Sequence, residues 1–478
     1  TDSKMLCTKS ETSGKEEKPS AHHCFGRARH FMLLVSVMAV AAAKSNDFTF
    51  TFTIICMTSN STSNTPIPIT NRDRDVLFGA AGVGMLITAV VIALALHRVG
   101  ARKVFPIALT ISGVATLLMP HLAPSGLSAI IPLRLMQGSA VAAVMPMIGF
   151  ISSHWAPLTE MGNFVTMLTA GIQISQIVTM PLSGELCVSA GWQWSYYVHG
   201  CFSLCMALTF FSIFRDSPEQ HDHVSPKELA LITKNGPASR RKGAKRPPVP
   251  YRAIFSDPAV WAIWVAFFGN SFGYQMILQF MPTFLNKVLL MPIERTGFYA
   301  ILPPIAQLCL KVVGGITNDK LTFMAERSKL RLFNTLAMVG CGSFLIPLGF
   351  STPGADSLLP IAFFMCSVAS MGLITCGSMK SVTLISRQYS HFVMAIVQFV
   401  VCIGYLTVPL FVSILAPTNS IYEWRLVFAG VFAVLLTTNV IFCYWCQADP
   451  ADWTKLVVRD AESIHVLVTP AEETSPQN

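Results

Sequence analysis

The chain has 478 residues, 52% hydrophobic and only 12% charged, with a mean hydropathy of +0.54. Soluble domains carry about 25% charged residues; half that share cannot cover a water-facing surface of this size, which excludes a soluble globular protein and points to a multi-pass membrane protein. The formal net charge of +9 does not indicate nucleic acid, because the basic residues gather before the first apolar run (Lys4, Lys9, Lys15, Lys18, Arg27, Arg29) and in "RRKGAKR" (240–246), the pattern of the positive-inside rule.

A helix needs about 20 apolar residues to cross the hydrocarbon core. Twelve such runs are predicted, the first six starting near Phe31, Leu77, Val104, Leu127, Phe164 and Trp194. The other six start near Ala259, Thr296, Leu332, Leu358, His391 and Tyr422. The first run is too long for a signal-peptide core and is expected to remain as an anchor. Between the sixth and seventh runs lies one long polar segment rich in Pro, Lys and Arg. The fold class predicted is therefore all-α, with twelve transmembrane helices in two six-helix halves, as in carriers built from two parallel repeats. "HRVGARK" (97–103) after the second run and "GGITNDK" (314–320) after the eighth echo one another across the two halves.

The expected organisation is a tail (1–30), a half (31–214), a linker (215–254), a half (255–447) and a tail (448–478). Tails and linker are placed in the cytoplasm by their charge. The loop after the first run then faces outside or into a lumen, and it carries an N-x-S/T sequon at Asn60, a glycosylation acceptor on the permitted side. Most of the 13 cysteines lie in apolar runs, which predicts neither a disulfide framework nor a zinc site. Cys443 and Cys446 in "CYWC" read as buried apolar surface rather than a redox pair.

No Walker A sequence, HExxH or G-x-S-x-G occurs, so no ATP-driven engine, enzyme chemistry, metal or cofactor is expected. Intramembrane charge carries the functional signal instead. Arg134 stands in "IIPLRLMQGSAVAAVMPMIGF" (130–150), and from Val104 to Thr159 there is no other Asp, Glu, Lys or Arg. Its forked donors suit a carboxylate or phosphate; the plainer reading pairs it with a helix carboxylate or backbone carbonyls. Lys44 and Asp47 interrupt the first run in "AAAKSNDF", as a local pair or with Asp47 as a titratable carboxylate for ion coupling. Lys311 in "PPIAQLCLKVVGG" is intramembrane but near enough to one end to reach the interface, and Lys380 is nearer still. Asn270, Tyr274 and Gln275 in "GNSFGYQ" either face a cavity or knit helices together. Gly138, Ala142 and Pro146 recur every four residues, a spacing for close helix packing.

"RLMQGSAVAAVMPMIGFISSHWAPLTE" (134–160) resembles a signature of solute carrier family 17, the branch of the major facilitator superfamily that includes sialin, vesicular glutamate and sodium–phosphate transporters. Arg134, Gly138, Pro146, Trp155, Pro157 and Glu160 fall at its spacings, and the resemblance continues through "MPLSG" (180–184), "GWQWSYYVHG" (191–200) and "RDSPEQH" (215–221). "GNSFGYQ", "GGITND" and "EWRLVF" (423–428) continue it more faintly in the second half. The resemblance implies an alternating-access carrier in which Arg134 binds the anionic group of the solute and Asn270 and Tyr274 lie near the cavity. It also exposes departures. Val141 stands where the family has a glutamate linked to proton coupling, the first-helix arginine falls near Asp47, His97 replaces a loop acid, and "SVTLISR" (381–387) replaces a tenth-helix pattern.

The function expected is secondary active or facilitative transport of a small organic anion or inorganic phosphate, with H+ or Na+ as a possible coupling ion and a monomer in the lipid bilayer as the usual state. Plasma membrane and lysosomal or vesicular membrane are both open. The alternative is a transport-inactive relative that acts as a membrane ligand sensor or scaffold.

Overall fold

A computed structural model describes residues 28–58, 67–157, 160–221, 223–233, 249–292, 296, 298–351 and 358–454. Among these, the first half contains α1 (Ala28–Met57), α2 (Asn71–Val99), α3 (Ala101–Leu122), α4 (Leu127–Trp155), α5 (Met161–Ser189) and α6 (Trp192–Ile213). The second contains α7 (Pro258–Thr283), α8 (Leu302–Lys320), α9 (Glu326–Leu345), α10 (Leu359–Ser386, broken near Gly377), α11 (Ser390–Leu415) and α12 (Ile421–Trp445). Ten of the twelve are long and apolar enough by composition alone to cross a membrane. The other two, α7 and α8, are diluted by Asn270, Tyr274 and Gln275, and by Lys311 and the Asn318–Lys320 end. Each predicted run corresponds to one helix.

Helix starts follow local chemistry. Thr70 and Asp73 form a reciprocal capping box at α2, and Ser420 and Glu423 form another at α12; each satisfies backbone N–H groups that a first turn leaves open. Asp257 accepts from the backbone of Ala259 to start α7. Between α2 and α3, Gly100 has φ +88° and sits against the Asp216 carboxylate, which accepts from the Arg102 backbone at 2.9 Å. A side chain at Gly100 would meet both a strained backbone and that carboxylate.

In the first half α1 packs on α5 and α6, α2 on α4, and α3 on α4 and α6. The same pairings recur with every number raised by six: α7 on α11 and α12, α8 on α10, and α9 on α10 and α12. The faint sequence echo thus has a structural counterpart. The halves meet along two seams, α2 and α4 against α11, and α5 against α8, with α1 touching α7. Every residue of α1 from Ala39 to Met57 is buried, which leaves that stretch no face for lipid. By contrast α2 shows Ile87, Val91 and Leu94 outward, an apolar stripe suited to acyl chains.

One disulfide joins Cys56, at the end of α1, to Cys187, near the end of α5. This corrects the expectation of no disulfide framework. The two cysteines are 131 residues apart within apolar runs, so spacing carries no hint of them; they meet because α1 and α5 lie side by side. Cys443 and Cys446 are free thiols, Cys446 buried and Cys443 half-buried against Thr335 and Asn439. At the opposite end of the bundle the short linker helix Pro226–Thr233 is tied to α1. Glu228 accepts from the backbone of Ala28 at 3.2 Å and of Arg29 at 3.0 Å, and Arg29 pairs with Glu160 at 3.1 Å. Asn60, Lys4, Lys9, Lys15, Lys18, Arg27 and "RRKGAKR" lie outside the described residues.

Candidate functional site: a charged cluster between the halves

Residues three apart share a helix face. On α1 this sets Lys44 and Asp47 side by side, and on α4 it does the same for Arg134 and Gln137. The two faces meet. Arg134 donates from Nη2 to Asp47 Oδ1 at 3.1 Å, from Nη1 to Gln137 Oε1 at 2.8 Å and from Nε to the Leu77 carbonyl at 3.3 Å. The guanidinium carbon lies 4.2 Å from the centre of the Phe50 ring, a cation–π contact that needs no polar partner. Gln137 is aimed by Thr116 of α3, whose hydroxyl accepts from its amide at 3.0 Å.

The second half closes the cluster. Tyr405 of α11 accepts from Lys44 Nζ at 2.5 Å and donates to Asp47 Oδ2 at 3.2 Å, while Lys44 Nζ stands 3.5 Å from the same carboxylate oxygen. Gln275 of α7 approaches the Tyr405 hydroxyl. Arg134 is 1% exposed, Asp47 4% and Lys44 5%. Two cations and one carboxylate thus share a buried space with a formal charge of +1. Charges removed from water are costly unless their partners balance them, and here the balance is one negative charge short.

A second polar seam runs between α5 and α8. Lys311 donates to Thr169 Oγ1 at 2.5 Å, Gln173 donates to Gln307 at 3.0 Å, and Gln176 donates to the Tyr274 hydroxyl of α7 at 3.0 Å. Thr169, Gln173 and Gln176 are spaced as one helix face.

Residues 33–409 match the model of the Major Facilitator Superfamily. The chain belongs to that superfamily. Sialin of Ovis aries is 25% identical over 79% of this chain and 76% of its own length, and human sodium-dependent phosphate transport protein 1 is 24% identical over 80% and 81%. Among solved structures, the xylose transporter XylE from E. coli, in a partially occluded inward-open conformation, superposes with a TM-score of 0.64 at 14% identity, covering 86% of this chain and 96% of that one. The expected resemblance to solute carrier family 17 is therefore met by relatives of that type, and fold and relatives are those of transporters rather than enzymes.

In this major facilitator the structure brings together Arg134, Asp47 and Lys44, three of the charged residues singled out in the sequence. Arg134 has the partners of the plainer reading, a helix carboxylate and a backbone carbonyl, and the second half reaches it through Tyr405 on Asp47. Tyr274 lies on the other seam with Gln176. Asn270 is half-buried, and among the described residues no hydrogen bond joins it to either seam. Lys311 is 3% exposed and turned to α5, so it does not reach out to the membrane interface. Lys380 does lie near the surface, paired with Glu326 at 2.9 Å. Val141 is buried among apolar side chains. Sequence reasoning missed Tyr405, Gln137 and Phe50. Only Gln137 had a usable signal, a polar residue three places after the arginine.

Proposed function

We propose that this major facilitator carries a small organic anion or inorganic phosphate by alternating access, with Arg134 as the group that takes the anion. The observation that supports this most is the surplus cation of the Lys44–Asp47–Arg134 cluster, set where helices of both halves touch. Asp47 occupies the guanidinium as an internal counter-ion. An arriving carboxylate or phosphate supplies the missing negative charge and competes with Asp47 for Arg134. Tyr405 bonds to both α1 side chains from the other half, so loading the cluster changes a contact between the halves, which then rock about it. With Val141 in place of a glutamate, coupling to protons falls to Asp47: its protonation would release Arg134 to the solute, and without it the protein acts as a facilitator or exchanger. The disulfide at the end opposite the linker supports an outward or lumenal placement of that end, since disulfides persist in oxidising compartments.

Uptake of labelled phosphate, glutamate, aspartate and sialic acid into proteoliposomes, with and without a pH gradient, tests the reading. Wild type is expected to show saturable uptake of at least one anion, and Arg134→Ala, folded, to lose it by about 100-fold or more in kcat/KM. Equal uptake by the two proteins would reduce Arg134 to a structural role and remove the anion assignment. Binding of an anion without flux by the wild type would favour a sensor.

A further inference from the structure

Lys44 and Arg134 share a carboxylate; Lys311 does not. Among the described residues no Asp or Glu pairs with it, and of its three N–H donors one goes to Thr169. One turn further along both helices, Gln173 donates to Gln307, and the Gln173 side-chain carbonyl is buried without a partner. A buried cation with no carboxylate paired to it therefore lies one turn along α5 from a buried acceptor lacking a donor. The backbone fixes this placement. A Cβ on Gly372 of α10 would lie 2.6 Å from the Gln307 backbone carbonyl and 3.1 Å from the Lys311 backbone nitrogen, so α8 is seated directly on α10 and the Lys311 side chain extends away to α5.

The depth differs from that of the first cluster. Thr169 is eight residues into α5 from its linker-side start, about 12 Å along the helix. Arg134 is seven residues into α4 from the opposite end, about 10 Å. Between them lies the Gln176–Tyr274 contact, and Gln275 leads on to Tyr405. The polar side chains thus form a track between the halves with a cation near each end.

We propose that Lys311, with the Gln173 carbonyl, is a second station for the solute, taking an anionic oxygen that has an O–H or N–H donor beside it, as in hydrogen phosphate or an α-amino carboxylate. It rests on the anion-carrier reading and adds a distinct position nearer the linker. The test is uptake of labelled phosphate and glutamate by the full-length protein in proteoliposomes, comparing wild type, Lys311→Met, Lys311→Arg, Thr169→Val and Arg134→Ala. Lys311→Met is expected to raise the apparent KM about tenfold or more, and Lys311→Arg to bring it back to within about threefold. Thr169→Val removes the hydrogen bond between α5 and α8 but keeps the charge, and is expected to stay within about twofold of wild type. If Lys311→Met is not recovered folded, Lys311→Gln serves with the same thresholds. An unchanged KM in the neutral variants, or equal losses in Lys311→Met and Thr169→Val, overturns the proposal and makes Lys311 a closing contact between the halves. Loss of uptake in Arg134→Ala with no change in the Lys311 variants removes only the second station; no change in either removes the anion reading with it.

Discussion

Asp47 holds Arg134 at 3.1 Å and Lys44 at 3.5 Å, and its removal leaves two buried cations facing one another. Taking one partner from a buried ion pair costs about 3–5 kcal/mol. Asp47→Asn is therefore expected to unfold at a lower temperature than wild type, and to regain much of the difference when phosphate is added in excess, because the added anion replaces the missing carboxylate. Thermal unfolding of the purified protein with and without phosphate checks both halves of this expectation; a variant as stable as wild type in the absence of anion would show that Asp47 is not the counter-ion. The charged members of the site were legible because charge is rare in these runs: from Val104 to Thr159, long enough to cross the bilayer twice, Arg134 stands alone. Tyr405 and Phe50 were not, since an aromatic in an apolar run looks the same whether it meets lipid, a neighbouring helix or a guanidinium. The departure at Val141 was legible only through the family pattern, and the structure gives it ordinary apolar surroundings.

The crossing of α2 and α4 shows what spacing can and cannot tell at the level of the helix. Gly138, four residues after Arg134, lies against the Ala81 carbonyl and the Met85 nitrogen, and Gly84 of α2 lies against the backbone of Leu135. The two glycines let the helices touch backbone to backbone, which brings the Arg134 Nε to the Leu77 carbonyl. The repeat of small residues predicted close approach; it did not name the partner helix, because the complementary glycine sits in another run. Gly138→Leu is expected to cost more than the usual overpacking penalty of about 1–3 kcal/mol, since backbone rather than side chain must move, and to abolish the monodisperse peak in size-exclusion chromatography. Gly149→Leu on the same helix, where a Cβ meets nothing within 4 Å, is expected to leave that peak intact. Equal behaviour of the two variants would mean that the crossing tolerates separation.

At the scale of the whole molecule the two-by-six plan was readable in advance because each helix must be apolar for the length of the bilayer, and that requirement is written residue by residue. How the halves meet was not. The seams depend on neutral side chains such as Thr169, Gln173 and Gln176, each unremarkable until the helical face they share is set opposite α8. The Cys56–Cys187 bridge was equally silent, as it joins residues from distant runs. It closes a covalent loop around α2, α3, α4 and most of α5 and ties the end of α1 to the end of α5, so that the helix bearing Lys44 and Asp47 and the helix bearing the polar seam are held together.

The formal +1 of the Lys44–Asp47–Arg134 cluster has an electrical consequence. A carrier that turns over empty moves that positive charge through the membrane field, whereas one loaded with a monoanion moves none at the cluster. A potential of 100 mV acts on a full elementary charge with about 2.3 kcal/mol, enough to bias the empty step strongly. Net uptake, which needs the empty return, is therefore expected to respond to a potassium–valinomycin potential far more steeply than anion-for-anion exchange, in which the carrier crosses loaded both ways. Equal voltage dependence in the two modes would place the balancing charge elsewhere. If the expectation holds, the voltage across the membrane drives this protein through the charge that it carries when it has nothing to carry.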